Sequence, residues 1–373
     1  MMEIKMGGLT MQQAKLHPFG HGGDVKTAAE AYGFDPKEII DFSANINPLG
    51  PPAGLLAYLA EQLETVTSYP DPACRKLISM LNEYYQPRQS IVVGNGAGEL
   101  IYTLMRVLPA GTVLIPAPSF NLYAKAAQAA GRAVSYHYLR RKHDFRLQVD
   151  EMNKQIRQER PKIVMLCNPN NPTGCALTRD EVLAVKQACV QNGAYLVIDE
   201  AFLEFTADWR KRTFLQTAAE NMVVLCSMTK MYAIPGLRLG FLVAAPQLCE
   251  AITKNRDPWS VNSLAQLAGE FVLRDQAFRQ KSVETITAWA QELYFALQTI
   301  PDLRPFAPAA NFIMLESLRT SSVELQAELL KQKILIRDCG NYQGLNRCYV
   351  RVAVRTQAEN QALIAALRSR EQS

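Results

Sequence analysis

The sequence predicts an α/β protein, a large domain built on a mostly parallel seven-stranded sheet with helices on both faces and a smaller α+β domain after it. Short β-branched apolar runs alternate with helical patterns through the middle of the chain. These runs are continuously apolar, as strands covered on both faces are, whereas half-exposed strands alternate. After about Ser263 the texture changes to longer helices with a few further strands.

Taken in order, the pieces at 90–93, 112–115, 133–138, 162–167, 194–198, 222–226 and 240–243 read as strands. Helical patterns fall between them, at 100–108, 122–130 and 180–191 among others. Thr178 with Glu181 has capping-box spacing, each side chain able to close on the other's backbone N–H, and starts the last of these helices. Beyond 263 a long helical stretch to about 297 precedes a strand at 311–315. A helix capped by Ser321 and Glu324, strands at 334–337 and 348–354, and a last helix capped by Thr356 and Glu359 follow. The expected division is 1–48 as an N-terminal segment packing on the small domain and active site, 49–262 as the large domain, and 263–373 as the small domain.

Composition narrows the function. With 373 residues, 48% hydrophobic, 20% charged and a net charge of +5, this is an ordinary globular chain. Its lysines and arginines are scattered, which argues against nucleic acid or a membrane surface as partner and leaves a small anionic substrate open. The eight cysteines form no Cys-x-x-Cys pair, and with four scattered histidines they offer no metal-ligand spacing. Reduced thiols, no metal, no apolar leader and no run of ~20 apolar residues make the cytoplasm the expected compartment.

Four segments carry the chemistry. Val93-Gly94-Asn95-Gly96-Ala97-Gly98-Glu99 lies between a strand and a helix, where backbone N–H groups can converge on a phosphate, although a plain tight turn explains it too. No Gly-Lys-Ser/Thr follows, so it is not a nucleotide-binding P-loop. Asn168-Pro169-Asn170-Asn171-Pro172-Thr173-Gly174 follows an apolar strand, at the edge where α/β proteins bind ligands. Val197-Ile198-Asp199-Glu200-Ala201-Phe202 puts an Asp at a strand tip, as a ligand group or as a cap for the next helix. Ser227-Met228-Thr229-Lys230 comes next, with Gly236-Leu237-Arg238-Leu239-Gly240 downstream.

In this order and combination the segments resemble the cofactor-binding set of the pyridoxal 5'-phosphate (PLP) aminotransferases of fold type I, over nearly the whole chain. The resemblance implies that fold, and Lys230 as the residue that holds PLP as an imine and then serves in proton transfer. It implies Asp199 as the partner of the pyridine nitrogen, Asn171 at the ring oxygen O3', and Phe120 stacked on the ring. Gly96, Ala97, Ser227 and Arg238 match the phosphate cradle. Tyr69, in Ser68-Tyr69-Pro70-Asp71-Pro72, matches a tyrosine that reaches the phosphate of a neighbouring subunit, which implies a homodimer with shared active sites. Arg351 matches the arginine that takes the substrate α-carboxylate, and Arg337 lies in the same small domain.

PLP chemistry permits transamination, decarboxylation, racemisation or elimination, so the reaction rests on resemblance. The histidinol-phosphate aminotransferase branch usually carries Asp-Glu-Ala-Tyr, whose tyrosine also contacts O3'; here the position is Phe202. His21-Gly22-Gly23-Asp24 and Asp41-Phe42-Ser43-Ala44-Asn45-Ile46-Asn47-Pro48-Leu49-Gly50-Pro51 resemble instead the threonine-phosphate decarboxylase branch, which serves cobalamin biosynthesis. That implies decarboxylation of L-threonine O-3-phosphate, with His21, Gly22, Asn45, Asn171, Arg337 and Arg351 contacting this small phosphorylated amino acid and Asn47 as a further candidate. The alternative for His21 and Asn45 is a structural Gly/Asn-rich turn. The alternatives are an aminotransferase for histidinol phosphate or a related amino acid, and a PLP-binding regulatory protein that has lost activity.

Overall fold

The computed structural model describes residues 22–370. Strands are numbered along the chain from β1 (Ile40–Asp41). The central ones are β2 (Ser90–Asn95), β3 (Val113–Ala117), β4 (Val134–Tyr138), β5 (Ile163–Cys167), β6 (Tyr195–Asp199), β7 (Met222–Ser227) and β8 (Leu239–Ala244). They form one seven-stranded sheet in the order β2-β8-β7-β6-β5-β3-β4. Only β8 runs antiparallel to its neighbours. Each of the seven runs expected to be a strand is a strand of this sheet. All five residues of β5 are buried, as are the leading residues of β7, which is why these runs carry no polar alternation.

Parallel strands end at one edge, so the segments after β2, β3, β5, β6 and β7 emerge together. The antiparallel β8 adds its amino end to the same edge, Leu239 pairing with Asn95 and Gly240 with Ser227. The helix Gly96–Val107 packs on the sheet through Leu100, Ile101, Leu104 and Met105, all buried. Its carboxyl end is closed by Arg132, whose guanidinium donates to the carbonyls of Met105, Leu108 and Pro109.

The chain forms two compact units. The larger holds Leu49–Asn171 and Cys175–Thr285; the other holds the described residues through Pro48, Pro172–Gly174 and Ile286 onward. The division falls inside the helix Gln276–Gln298 rather than at Ser263. The helix Ser263–Val272 lies in the larger unit because Gly269 sits against Leu77 and Leu239, where a methyl group would come within 2.8 and 2.9 Å of their side chains. Helical periodicity continues across both helices and does not reveal that change of packing partner.

The other unit adds β9 (Leu303–Pro305), β10 (Phe312–Ser317), β11 (Ile334–Leu335), β12 (Arg337–Asp338) and β13 (Tyr349–Ala353). An antiparallel sheet runs β12-β13-β10-β9, while β1 pairs in parallel with β11. The run expected as one strand at 334–337 is therefore two, broken at Ile336, whose carbonyl accepts from the Gln326 side chain instead of joining a ladder. Ala28, Ala29, Ile39, Leu330 and Leu335 form the core beside β1 and β11. The expected capping boxes at Thr178, Ser321 and Thr356 are all formed. All eight cysteines are free thiols. No helix among the described residues is long and apolar enough to cross a membrane.

Arg132→Met removes three charge-assisted hydrogen bonds from the end of a helix whose other end faces the site. Denaturant unfolding is expected to show a loss of about 1–3 kcal/mol; an unchanged midpoint would show that the helix end is satisfied without it.

Candidate active site

Asp199 ends β6 and is 4% exposed. Its Oδ1 accepts from the Ala201 N–H at 2.9 Å and its Oδ2 from the Tyr123 hydroxyl at 2.7 Å. Burial pushes its pKa up, while Tyr123, the Ala201 N–H and the Lys230 charge pull it back down. Lys230 lies in the short helix Met228–Met231 directly after β7 and is half-buried.

Loop 168–171 is tied to the neighbouring strand ends. Asn168 N–H donates to the Asp199 carbonyl at 2.9 Å, and its Oδ1 accepts from Leu177 N–H at 2.9 Å. Asn170 Nδ2 donates to the Pro118 carbonyl at 3.0 Å. These bonds hold the backbone that presents Asn171, itself buried. Phe120, after β3, meets Tyr123 edge-to-face with ring centroids 5.6 Å apart.

Gly96 begins its helix at φ +72°, a left-handed conformation, and a Cβ there would lie 2.5 Å from Arg238 Nη2. The pairing of β8 with both β2 and β7, Leu239 with Asn95 and Gly240 with Ser227, brings the residue before β8, Arg238, to this place. Arg238 is itself left-handed at φ +59° and donates to the Pro235 carbonyl at 3.3 Å. Ser227 Oγ shares a 2.8 Å hydrogen bond with Thr229 Oγ1. Behind the loop, Asn95 N–H donates to Glu99 Oε2 at 2.7 Å and Arg256 to the Val93 carbonyl. The first N–H groups of a helix have no intrahelical acceptor, so Gly96 and Ala97, with a hydroxyl and a guanidinium, offer donors of the kind that could hold a phosphate. Tyr69 is 80% exposed, with its ring 4.6 Å from that of Trp259.

The other unit gathers a different set. Arg337 on β12 and Arg351 on β13 are directly opposite each other and are 1% and 4% exposed. Arg337 Nη2 donates to Asn341 Oδ1 at 2.8 Å, and its guanidinium lies 5.3 Å from the Tyr342 ring centroid. Arg351 Nη2 donates to the Ser43 carbonyl at 2.7 Å and lies 5.5 Å from the Phe312 ring centroid. Like charges directly across a ladder repel, and burial removes the water that would screen them, so an anionic ligand stabilises such a pair. Ser43 Oγ donates to Asp41 Oδ1 at 2.6 Å and accepts from Gly23 N–H at 2.7 Å, which fixes the segment beside Gly22. Asn45 and Asn47 are buried, and Asn45 Oδ1 has no hydrogen-bond partner among the described residues. His21 lies outside the described residues.

Sequence pattern alone does not single out Tyr123. The signal for it is its place three residues after Phe120, on a helix starting at the same strand end. Glu200 is missed in the same way. Its Oε1 accepts from Phe214 N–H at 2.8 Å and its Oε2 from the Thr213 hydroxyl at 2.5 Å. No group of His, Cys, Asp and Glu suited to a metal ion occurs among the described residues.

A lysine, a buried carboxylate, an aromatic ring and a set of helix-end and side-chain donors, all at one edge of a mostly parallel sheet, are the groups of an enzyme class that binds a phosphorylated pyridine cofactor on lysine. The family model described as "Aminotransferase class I and II" matches residues 37–367. The chain belongs to that family. It is 37% identical over 353 residues to a threonine-phosphate decarboxylase of Salmonella typhimurium, covering 94% of this chain and 96% of the relative. It is also 37% identical over 351 residues to a bifunctional adenosylcobalamin biosynthesis protein of Leptospira interrogans; that match covers 93% of this chain and spans 40% of the relative's length. Among solved structures, a histidinol-phosphate aminotransferase of Clostridium acetobutylicum matches with TM-score 0.83 and 30% identity, over 89% of this chain and 98% of the other. An L-threonine-O-3-phosphate decarboxylase of Porphyromonas gingivalis matches with TM-score 0.79 and 26% identity, over 89% and 99%.

Burial pushes the Glu200 carboxyl up to about 7, from 4.5. Between those values the folded protein keeps a proton that the unfolded chain has released, so Glu200 makes stability fall as pH rises through this window. Relative to Glu200→Gln, the unmodified protein is expected to lose on the order of 1 kcal/mol per pH unit between pH 5 and about 7. Denaturation midpoints of both proteins at several pH values check this; parallel profiles would contradict it.

Proposed function

We propose that this chain is a PLP-dependent decarboxylase that turns L-threonine O-3-phosphate into (R)-1-aminopropan-2-ol O-phosphate and CO2, in cobalamin biosynthesis. The observation that carries the reading is the buried pair Arg337 and Arg351, directly opposite on adjacent strands. Such a pair suits a substrate with two anionic groups, and phosphothreonine brings a carboxylate and a phosphate. The similarity to threonine-phosphate decarboxylases supports the same substrate.

Bound PLP would supply an electron sink for the pair left on the substrate Cα when a bond there breaks. Its phosphate would be held by the Gly96 and Ala97 amides, Ser227 and Arg238, and its ring by Phe120. Asp199 holds a proton at the ring nitrogen. Asn171 holds O3' and contacts the substrate, and Phe202 offers no second hydrogen bond at O3'. Arg351 takes the carboxylate; Arg337, with His21, Gly22 and Asn45, takes the phosphate. The unpartnered, buried Oδ1 of Asn45 supports a ligand at that residue. Lys230 would hold the cofactor and, when not bonded to it, would be the amine placed to move protons. The Cα–carboxylate bond would break with its electron pair left toward Cα, CO2 would leave, and Lys230, protonated from solvent, would deliver one proton to Cα. A homodimer, with Tyr69 reaching the phosphate site of the second subunit, accounts for a tyrosine exposed on Trp259. The free thiols support a cytoplasmic place.

The purified, PLP-loaded protein given L-threonine O-phosphate alone is expected to release CO2 and aminopropanol phosphate, and Lys230→Ala to release none. Amino transfer that requires an oxo acid and yields no CO2 would assign the aminotransferase reaction of the histidinol-phosphate branch instead. Arg337→Gln is expected to lower kcat/KM for phosphothreonine by roughly 30- to 1,000-fold, the scale for losing one partner of a buried charge pair. Turnover of unphosphorylated threonine should fall far less; equal losses on both substrates would remove Arg337 from the phosphate.

A further inference from the structure

In the proposed decarboxylase Asp199 holds a proton on the cofactor's ring nitrogen, and the role inferred for its neighbour rests on that reading. A fully buried carboxylate favours its neutral form, so its neighbours decide how well it keeps its charge. From the helix Leu122–Ala129, the Tyr123 hydroxyl donates to Oδ2 at 2.7 Å. From the segment after β6, Ala201 N–H donates to Oδ1 at 2.9 Å. Lys230, after β7, contributes an opposite charge. Cys167 at the end of β5, Cys226 in β7 and Glu200 beside Asp199 are the other titratable neighbours, and burial pushes all three toward their neutral forms.

Tyr123 is 0% exposed, and burial holds its phenol well above its usual pKa, so it keeps its proton and stays a donor. Its ring is fixed edge-on against Phe120 at 5.6 Å and an interplanar angle of 86°. One residue thus touches both the aromatic platform expected under the cofactor and the carboxylate expected at its nitrogen.

We propose that Tyr123 is a positioning residue which, through its hydrogen bond to Asp199 Oδ2, sets how strongly that carboxylate competes for the proton it shares with the ring nitrogen. A donor on Oδ2 makes the carboxylate less basic, so the proton stays on the nitrogen and the ring keeps its positive charge. Without the donor the proton moves toward Asp199 and the ring withdraws electrons less. The Lys230–cofactor linkage, facing a less positive ring, then keeps its own proton to higher pH.

The test is a pH titration of the visible absorbance of the Lys230-bound cofactor in wild type, in Tyr123→Phe, and in protein with 3-fluorotyrosine at position 123, a stronger donor of the same shape. Tyr123→Phe should move the midpoint up by about one pH unit or more. Its decarboxylation kcat should fall about tenfold or more, with cofactor content near wild type. The fluorinated protein should move the midpoint down, a direction that lost packing does not produce. If Tyr123→Phe does not fold, the fluorinated protein decides alone. Midpoints that coincide with wild type in the folded, loaded proteins overturn the role of Tyr123. A wild type that forms no visible linkage at Lys230 overturns the cofactor reading beneath it.

Discussion

A carboxylate buried at the end of a central strand is unfavourable unless its charge is spread over neighbours, and the larger unit is built around meeting that demand at Asp199. β6 has β5 on one side and β7 on the other. The strand on one side ends on Cys167 and leads into the loop that returns Asn168 N–H to the Asp199 carbonyl. The strand on the other side ends on Ser227 and leads to Lys230. Tyr123 arrives from the helix after β3 and completes the set. Parallel strand direction makes this convergence possible, because groups from separate segments of the sequence reach one carboxylate without a long loop. The reversed strand β8 extends the arrangement by bringing Arg238 to the amino end of the helix Gly96–Val107.

The other unit answers a mirror-image demand. Arg337 and Arg351 are cations placed opposite each other and out of water, and the groups seen on them include an asparagine oxygen, a backbone carbonyl and aromatic faces. The same unit holds the buried carboxamide of Asn45 with unspent capacity. Two buried guanidinium groups on facing positions and an unmatched polar oxygen suit an anionic, hydrogen-bonding ligand.

Much of this was legible because parallel sheets punctuate their sequences. Apolar runs located every strand of the large sheet, and the residues just after those runs were the candidates that the fold brings together. Asp199 shows why single motifs stay ambiguous: one of its oxygens does cap the following turn, through Ala201, as the plain reading expects, while the other meets Tyr123. Tyr123 was not legible, since a lone tyrosine on an apolar helix face looks like core and its hydroxyl partner lies 76 residues away. The facing of Arg337 and Arg351 was not legible either, because cross-strand register follows from pairing and not from either strand's pattern. Nor was the break at Ile336, which depends on a glutamine from a neighbouring helix.

As a decarboxylase, this site breaks the bond from Cα to the carboxylate and adds a proton to the same carbon. The most direct measurement is NMR of the loaded enzyme with carboxyl-13C L-threonine O-phosphate in D2O. The expected result is label appearing as CO2 and bicarbonate, with one deuterium on the amine-bearing carbon of aminopropanol phosphate. Label kept in the amino acid while deuterium enters at Cα, or label recovered in a 2-oxo acid, would contradict it.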